Sequence, residues 1–220
     1  MAHFDEKALV QKLDKILCRE FGTNLGFKEF SAGYGIADLV FAKDYSFLKK
    51  NCSREPITNF LCLKLFLSLK TDRYYTKEMI IKLVGSNNKA AALKQLKFLV
   101  NNGYLQDTGL GFSKTPILSL NNPIQKVIAI EVKLKDHKGG LCQAKRYQYF
   151  ADESYLAILK DAEKNINFHE FNQQNIGLIL FDPRTNKIEI KHPKRYRLLE
   201  KSINTYAKEL MLGRFMRLAF

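Results

Sequence analysis

The chain of 220 residues is long enough for one sizeable core, or for one core with a small extra module. Its 46% apolar and 26% charged residues are ordinary for a globular protein, but 36 Lys and Arg against 22 Asp and Glu leave a formal charge of +14. That excess points to a polyanion as partner, nucleic acid before an anionic membrane surface, and no run of about 18 apolar residues offers a spanning helix. The opening Met-Ala-His-Phe-Asp-Glu lacks the basic-then-apolar order of a signal peptide. Cys18, Cys52, Cys62 and Cys142 are too far apart for a zinc pairing and read as reduced thiols, which makes cytoplasm the expected location.

Residues 5 to 20 have the helical spacing of Leu9, Val10, Leu13, Ile16 and Leu17, with Gly22 just past the end. Two short strands, about 27 to 31 and 36 to 42, are joined by Ser31-Ala32-Gly33-Tyr34-Gly35, which has the glycines of a tight turn. Asp38 shares a strand face with Ile36, Val40 and Ala42, an acid among apolar neighbours that needs a partner. Residues 43 to 55 are polar and basic and read as a linker.

From Ile57 to about Lys114 the period changes from two to helical. Helices are predicted over 57 to 70, over 76 to 84 and, with Ser86-Asn87 as cap, over 89 to 100. Asn101-Asn102-Gly103 stops the third, and a small hairpin over 104 to 113 follows. Three helices and a β-wing predict a winged helix-turn-helix over 56–115, inserted into a core formed by 1–55 and 116–220. This module holds nine basic and three acidic residues, with Lys89, Lys94 and Lys97 on its third helix as the expected nucleic-acid contacts. The plain alternative is a solvated helix face.

After Pro116 and Pro123 a strand returns. Val127, Ala129, Glu131 and Lys133 alternate with Ile128, Ile130, Val132 and Leu134. An E-x-K pair on a strand is usually a solvated charge pair. Here both faces of the strand are otherwise apolar, as in a central strand, so Glu131 and Lys133 are harder to dismiss. A helix over about 140 to 151 places Gln143 and Tyr147 on one face. Strands are expected near 155 to 159, 176 to 181 and 187 to 191, the last two separated by Asp182-Pro183-Arg184-Thr185-Asn186, and a basic helical tail over about 195 to 217. Lys191, Lys194, Arg195, Arg197, Arg214 and Arg217 in and before that tail could meet phosphates or simply cover the core.

Asp38 within Gly-Ile-Ala-Asp-Leu-Val-Phe, then Glu131-Val132-Lys133, then Gln143-Ala-Lys-Arg-Tyr147 occur in the order of a known pattern. In these residues the chain resembles the PD-(D/E)XK nuclease superfamily, over about 1 to 43 and 124 to 182. The resemblance implies a restriction-endonuclease-like α/β fold, a mixed central sheet flanked by helices, and metal-dependent hydrolysis of DNA phosphodiesters. It implies Asp38, Glu131 and the Val132 carbonyl as ligands of Mg²⁺, with Mn²⁺ as substitute. It also implies Lys133 as the group that orients or deprotonates water or faces the pentavalent phosphorus, with Gln143 and Tyr147 supporting. Family members often add an acid from the first helix. Glu6 is preferred to Glu20, which sits at the C-terminal end where the helix dipole disfavours an anion.

Lys135 and His137, just beyond the strand, lie where a substrate phosphate could pass, although a lone loop histidine is more often solvated, and Asp136 is similarly ambiguous. The expected partner is double-stranded DNA, with no membrane and a homodimer left open. The alternative is a non-catalytic DNA-binding or regulatory protein on a nuclease-derived scaffold, which would have no need of buried acids. Other hydrolytic chemistries lack support, because there is no G-x-S-x-G, P-loop or H-E-x-x-H.

Overall fold

The computed structural model describes residues 5–43, 54–85, 89–115, 122–194 and 198–219. Asp5 opens the first helix, α1 (Glu6–Glu20), by accepting the Ala8 N–H at 2.7 Å. Leu9, Leu13 and Leu17, four apart, form its buried stripe. β1 (Gly26–Ser31) and β2 (Ile36–Lys43) make an antiparallel hairpin. Its turn holds Gly33 and Gly35 at φ of +97° and +96°, which an L side chain rarely adopts.

The next segment leaves the sheet. It forms α2 (Phe60–Ser68), α3 (Lys77–Val84), α4 (Lys89–Asn101) and a two-stranded hairpin, β3 (Leu105–Asp107) and β4 (Phe112–Lys114). Asn59 and Thr76 cap α2 and α3 with their side chains. The expected Ser86-Asn87 cap of α4 and the 44–53 part of the linker lie outside the described residues. A bridge between Tyr75 and Phe112 ties the chain before α3 to the hairpin. Leu63, Phe66, Ile80, Leu96, Leu99 and Tyr104 fill a core of this segment's own.

The chain then re-enters the sheet through β5 (Lys126–Lys133), followed by α5 (His137–Tyr147) and β6 (Glu153–Leu159). A 3₁₀ turn over Lys160–Asn165 and α6 (Phe168–Gln174) lead to β7 (Gly177–Asp182), β8 (Lys187–Lys191) and α7 (Lys201–Ala219). The sheet order is β1-β2-β5-β6-β7-β8. β5–β6 and β6–β7 pair parallel and the other neighbours antiparallel, so the architecture is α/β with a mixed six-stranded sheet flanked by helices. α1 covers Leu39, Phe41, Ile128 and Ile130 on one face. Tyr147 and Phe150, with Ile203, Ala207 and Met211 of α7, cover Val40, Ala42, Val127 and Ala129 on the other. No helix of the described residues is long and apolar enough to cross a membrane.

The differences from the sequence reading include two helix starts and one whole helix. α5 begins at His137 because Asp136 accepts the Gly139 N–H at 2.9 Å, starting the helix before its glycines. Gly140 then has a packing role, since a Cβ there would stand 2.5 Å from Leu156 Cδ1. The short α6 has no counterpart among the predicted elements. Seven residues between the Asn167 cap and the left-handed Asn175 are too few to show a period. The last helix starts at Lys201 rather than near 195, and Arg195 and Arg197 lie outside the described residues.

One buried carboxylate joins the extra segment to the sheet's covering helix. Glu209 of α7 is 0% exposed. It is paired with Arg54 and accepts from Arg54 Nη1, from the Ile57 N–H and from Asn122 Nδ2, each at 2.8 Å. Arg54 also donates to the Tyr104 hydroxyl, which in turn donates to the Glu55 carbonyl at 2.6 Å. Burial pushes the Tyr104 phenol up to about 12. Arg54→Met should strand this carboxylate and destabilise the fold by about 3–5 kcal/mol in urea unfolding at neutral pH. Arg54→Met with Glu209→Met, which removes both charges, should recover most of that loss.

Candidate functional site

Strand register builds the site. β2 and β5 pair Leu39 with Ile130, so one further step would set Asp38 opposite Glu131. The ladder stops there. Instead of a backbone bond, Asp38 Oδ2 accepts the Val132 N–H at 2.7 Å. On the other side, β1 and β2 pair Lys28 with Leu39 and Phe30 with Ala37, which sets Glu29 opposite Asp38. Glu29 has φ of +49°, a left-handed backbone unusual in a strand interior for a residue with a Cβ. Glu29 is exposed, and its charge adds to the rise of the Asp38 carboxyl.

Glu131 is 1% exposed although it is an acid. Lys133 Nζ lies 2.8 Å from its Oε1, and the Tyr147 hydroxyl donates to its Oε2. The same hydroxyl oxygen is 2.8 Å from the Ile36 carbonyl, so one phenolic proton faces two acceptors. Glu6, at the start of α1, brings its Oε2 within 3.7 Å of Lys133 Nζ. Side chains from α1, β2, β5 and α5 therefore meet at one point.

Burial pushes the Glu131 carboxyl above the usual range, and the Asp38 charge adds to that, against the hydrogen bonds from Lys133 and Tyr147. Asp38 is raised as well. Burial is again the main cause, with the Val132 N–H and Lys133 opposing and Glu6 and Glu29 reinforcing. For Lys133 burial pulls downward, but the hydrogen bond and charge of Glu131, with Glu6 and Asp38, more than offset it and hold the ammonium charged. Tyr147 is raised by burial and by Glu131.

The other residues singled out in the sequence are distributed as follows. Gln143 is half-buried on α5, one turn before Tyr147. The Val132 side chain enters the α1-side core, while its N–H serves Asp38. Lys135 is exposed, His137 is the half-buried first residue of α5, and Asp136 is that helix's cap. Lys89, Lys94 and Lys97 are exposed on one face of α4, around the partly exposed Leu93, on the extra segment rather than at the carboxylates. Glu20 is exposed at the far end of α1. Among the described residues no three His, Cys, Asp or Glu side chains gather into a metal cage. Glu29 is absent from the residues that the sequence singles out, although counting the hairpin register back from its turn would find it.

Comparison with protein-family models, with curated proteins and with solved structures finds no match to this chain. The site is therefore read from its own geometry.

The raised Asp38 carboxyl has a consequence for stability. A group that binds its proton more tightly in the folded state weakens the fold as pH rises through its folded value. In EDTA at pH 7, Asp38→Asn should therefore melt higher than the parent protein, keeping the Val132 contact without the buried charge. The gap should close as pH falls below about 3.9, where Asp38 is protonated in both states. Thermal melts between pH 3.5 and 7.5 would check this.

Proposed function

We propose that the protein is a metal-dependent nuclease that hydrolyses phosphodiester bonds in DNA. The observation that carries this reading is the meeting of Asp38, Glu131 and Lys133, with Glu6 and Tyr147, at a break in the β2–β5 ladder. The mixed sheet with this break supports a restriction-endonuclease-like core. Three helices, a hairpin and the Tyr75–Phe112 bridge support a winged helix-turn-helix over 56–115.

The donor set suits magnesium. Two carboxylates, both disfavoured as anions by burial and Glu131 also by the Asp38 charge, are what a hard divalent cation would relieve. Magnesium takes one or two carboxylates and keeps water and phosphate as its remaining ligands, so no closed cage is required. Asp38, Glu131 and the Val132 carbonyl would hold it. Bound there, Mg²⁺ would lower the pKa of its water and offset charge on the phosphodiester.

The protein's own groups supply the rest. Glu131 and Glu6 keep Lys133 charged, which suits it to orient the attacking water and to face the developing phosphorane charge, rather than to take a proton. Tyr147 fixes the Glu131 carboxylate through its hydroxyl while bracing β2 at the Ile36 carbonyl. The exposed lysines of α4 would grip duplex phosphates at a distance from the reaction.

Four measurements test the reading. Plasmid incubated with the protein and Mg²⁺ or Mn²⁺ should be cut, and EDTA should stop the cutting. A protein inert with every divalent metal and every nucleic acid would end the proposal. Lys133→Ala should reduce cleavage by about 10²–10³-fold with DNA affinity nearly unchanged. Replacing Lys89, Lys94 and Lys97 with Ala should weaken binding and lower the log–log salt slope by roughly 0.9 for each phosphate that is no longer neutralised. Mg²⁺ should also raise the melting temperature of the parent protein and leave that of Asp38→Asn unmoved.

A further inference from the structure

The rim of the carboxylate site carries an apolar and aromatic surface that the phosphodiester chemistry does not use. Ile36 is 62% exposed. It lies two residues before Asp38, so both side chains leave β2 on the same face. Its carbonyl is held by the Tyr147 hydroxyl, the same group that holds Glu131. Beside it, Tyr34 of the β1–β2 turn stacks on Tyr149, just past α5, with ring centroids 4.2 Å apart and planes 6° from parallel.

The turn is seated on α5. A Cβ on Gly35 would sit 3.4 Å from Tyr147 Cε1, and Gly35 needs its positive φ to pass there. Tyr149 keeps 37% of its surface exposed, and the exposed Lys145 and Arg146 precede it. Single apolar residues on a surface need no explanation. A branched side chain and a stacked tyrosine pair, bolted to the group that positions Glu131 and bordered by cations, form a surface with a directed shape.

We propose that this rim binds an unpaired nucleobase of the substrate, so that the protein prefers nucleic acid with a junction between duplex and single strand. This rests on the nuclease reading and adds a substrate class to it. In an intact duplex each base is covered on both faces by its neighbours and offers nothing to Tyr149. An unpaired base exposes a π-face, and stacking on an aromatic side chain is sequence-tolerant. Ile36 then serves as a wedge against the last base pair, as branched apolar side chains do between base steps. Lys145 and Arg146 take the phosphates of the displaced strand.

The test uses the parent protein in EDTA, so that binding is read without cleavage. A forked oligonucleotide and a fully paired one of equal length are titrated by fluorescence anisotropy, with 2-aminopurine at the first unpaired position of the fork. The fork should bind tighter by about 5- to 100-fold, and its 2-aminopurine emission should be quenched on binding. Ile36→Ser, a change at an exposed side chain, and separately Tyr149→Leu should each erase much of that preference. Duplex affinity, duplex cleavage with Mg²⁺ and melting temperature should stay at parent values. Equal affinity for fork and duplex, or a preference that both variants keep, overturns the rim proposal. If duplex is still cut in that case, the nuclease reading stands without it. A protein that binds neither oligonucleotide at low salt removes both.

Discussion

An acid in the interior of an otherwise apolar strand is a demand that the surrounding fold has to satisfy. Glu131 occupies that position in β5, with burial raising its carboxyl and only specific partners able to hold it. Those partners come from three directions. Lys133 comes from its own strand, Tyr147 from α5, and Glu6 from α1 by way of Lys133. Placing Tyr147 in turn fixes Ile36 and the hairpin turn above it. A single buried charge thereby sets where two helices and two strands sit relative to one another, which is more than apolar packing alone specifies.

The charge of the whole molecule and the charge of the site have opposite signs. The chain carries +14, yet Asp38 lies near enough for its charge to act on Glu131, with the charges of Glu6 and Glu29 also reaching Asp38. A positive long-range field draws a polyanion from a distance. Under the nuclease proposal, a polyanion drawn by that field would meet repelling acids at short range, and a divalent cation would mediate.

Much of the site is legible in the sequence because strand alternation is local. Glu131 stands out against Val127 and Ala129, and Asp38 against Val40 and Ala42, by counting in twos. The helical texture of the extra segment is legible where the period changes near Ile57, and its end where strand alternation returns after Pro116. Glu6 can be preferred to Glu20 by a helix-dipole argument, and it is Glu6 that approaches Lys133. Glu29 is not legible in the same way, because its place follows from pairing between strands rather than from its own neighbours. The start of α5 is hidden by Gly139 and Gly140, which read as breakers until Asp136 is seen to cap the turn that contains them. The basic excess of the insertion is legible in composition, while what it touches is a property of a complex rather than of the chain.

The clamp at Glu209 bears on the order in which the molecule can be completed. Its carboxylate gathers Arg54 and Ile57, where the chain enters the extra segment, and Asn122, where it leaves. Both crossings are thus fastened by a residue of α7, which a ribosome makes after everything it fastens. Until then Arg54 has Tyr104 but not its carboxylate, and the entry and exit crossings have no common anchor. The extra segment, with its own apolar core, can condense early on local contacts. Its anchoring to the sheet's cover therefore waits on α7, whose Glu209 holds the entry and the exit together.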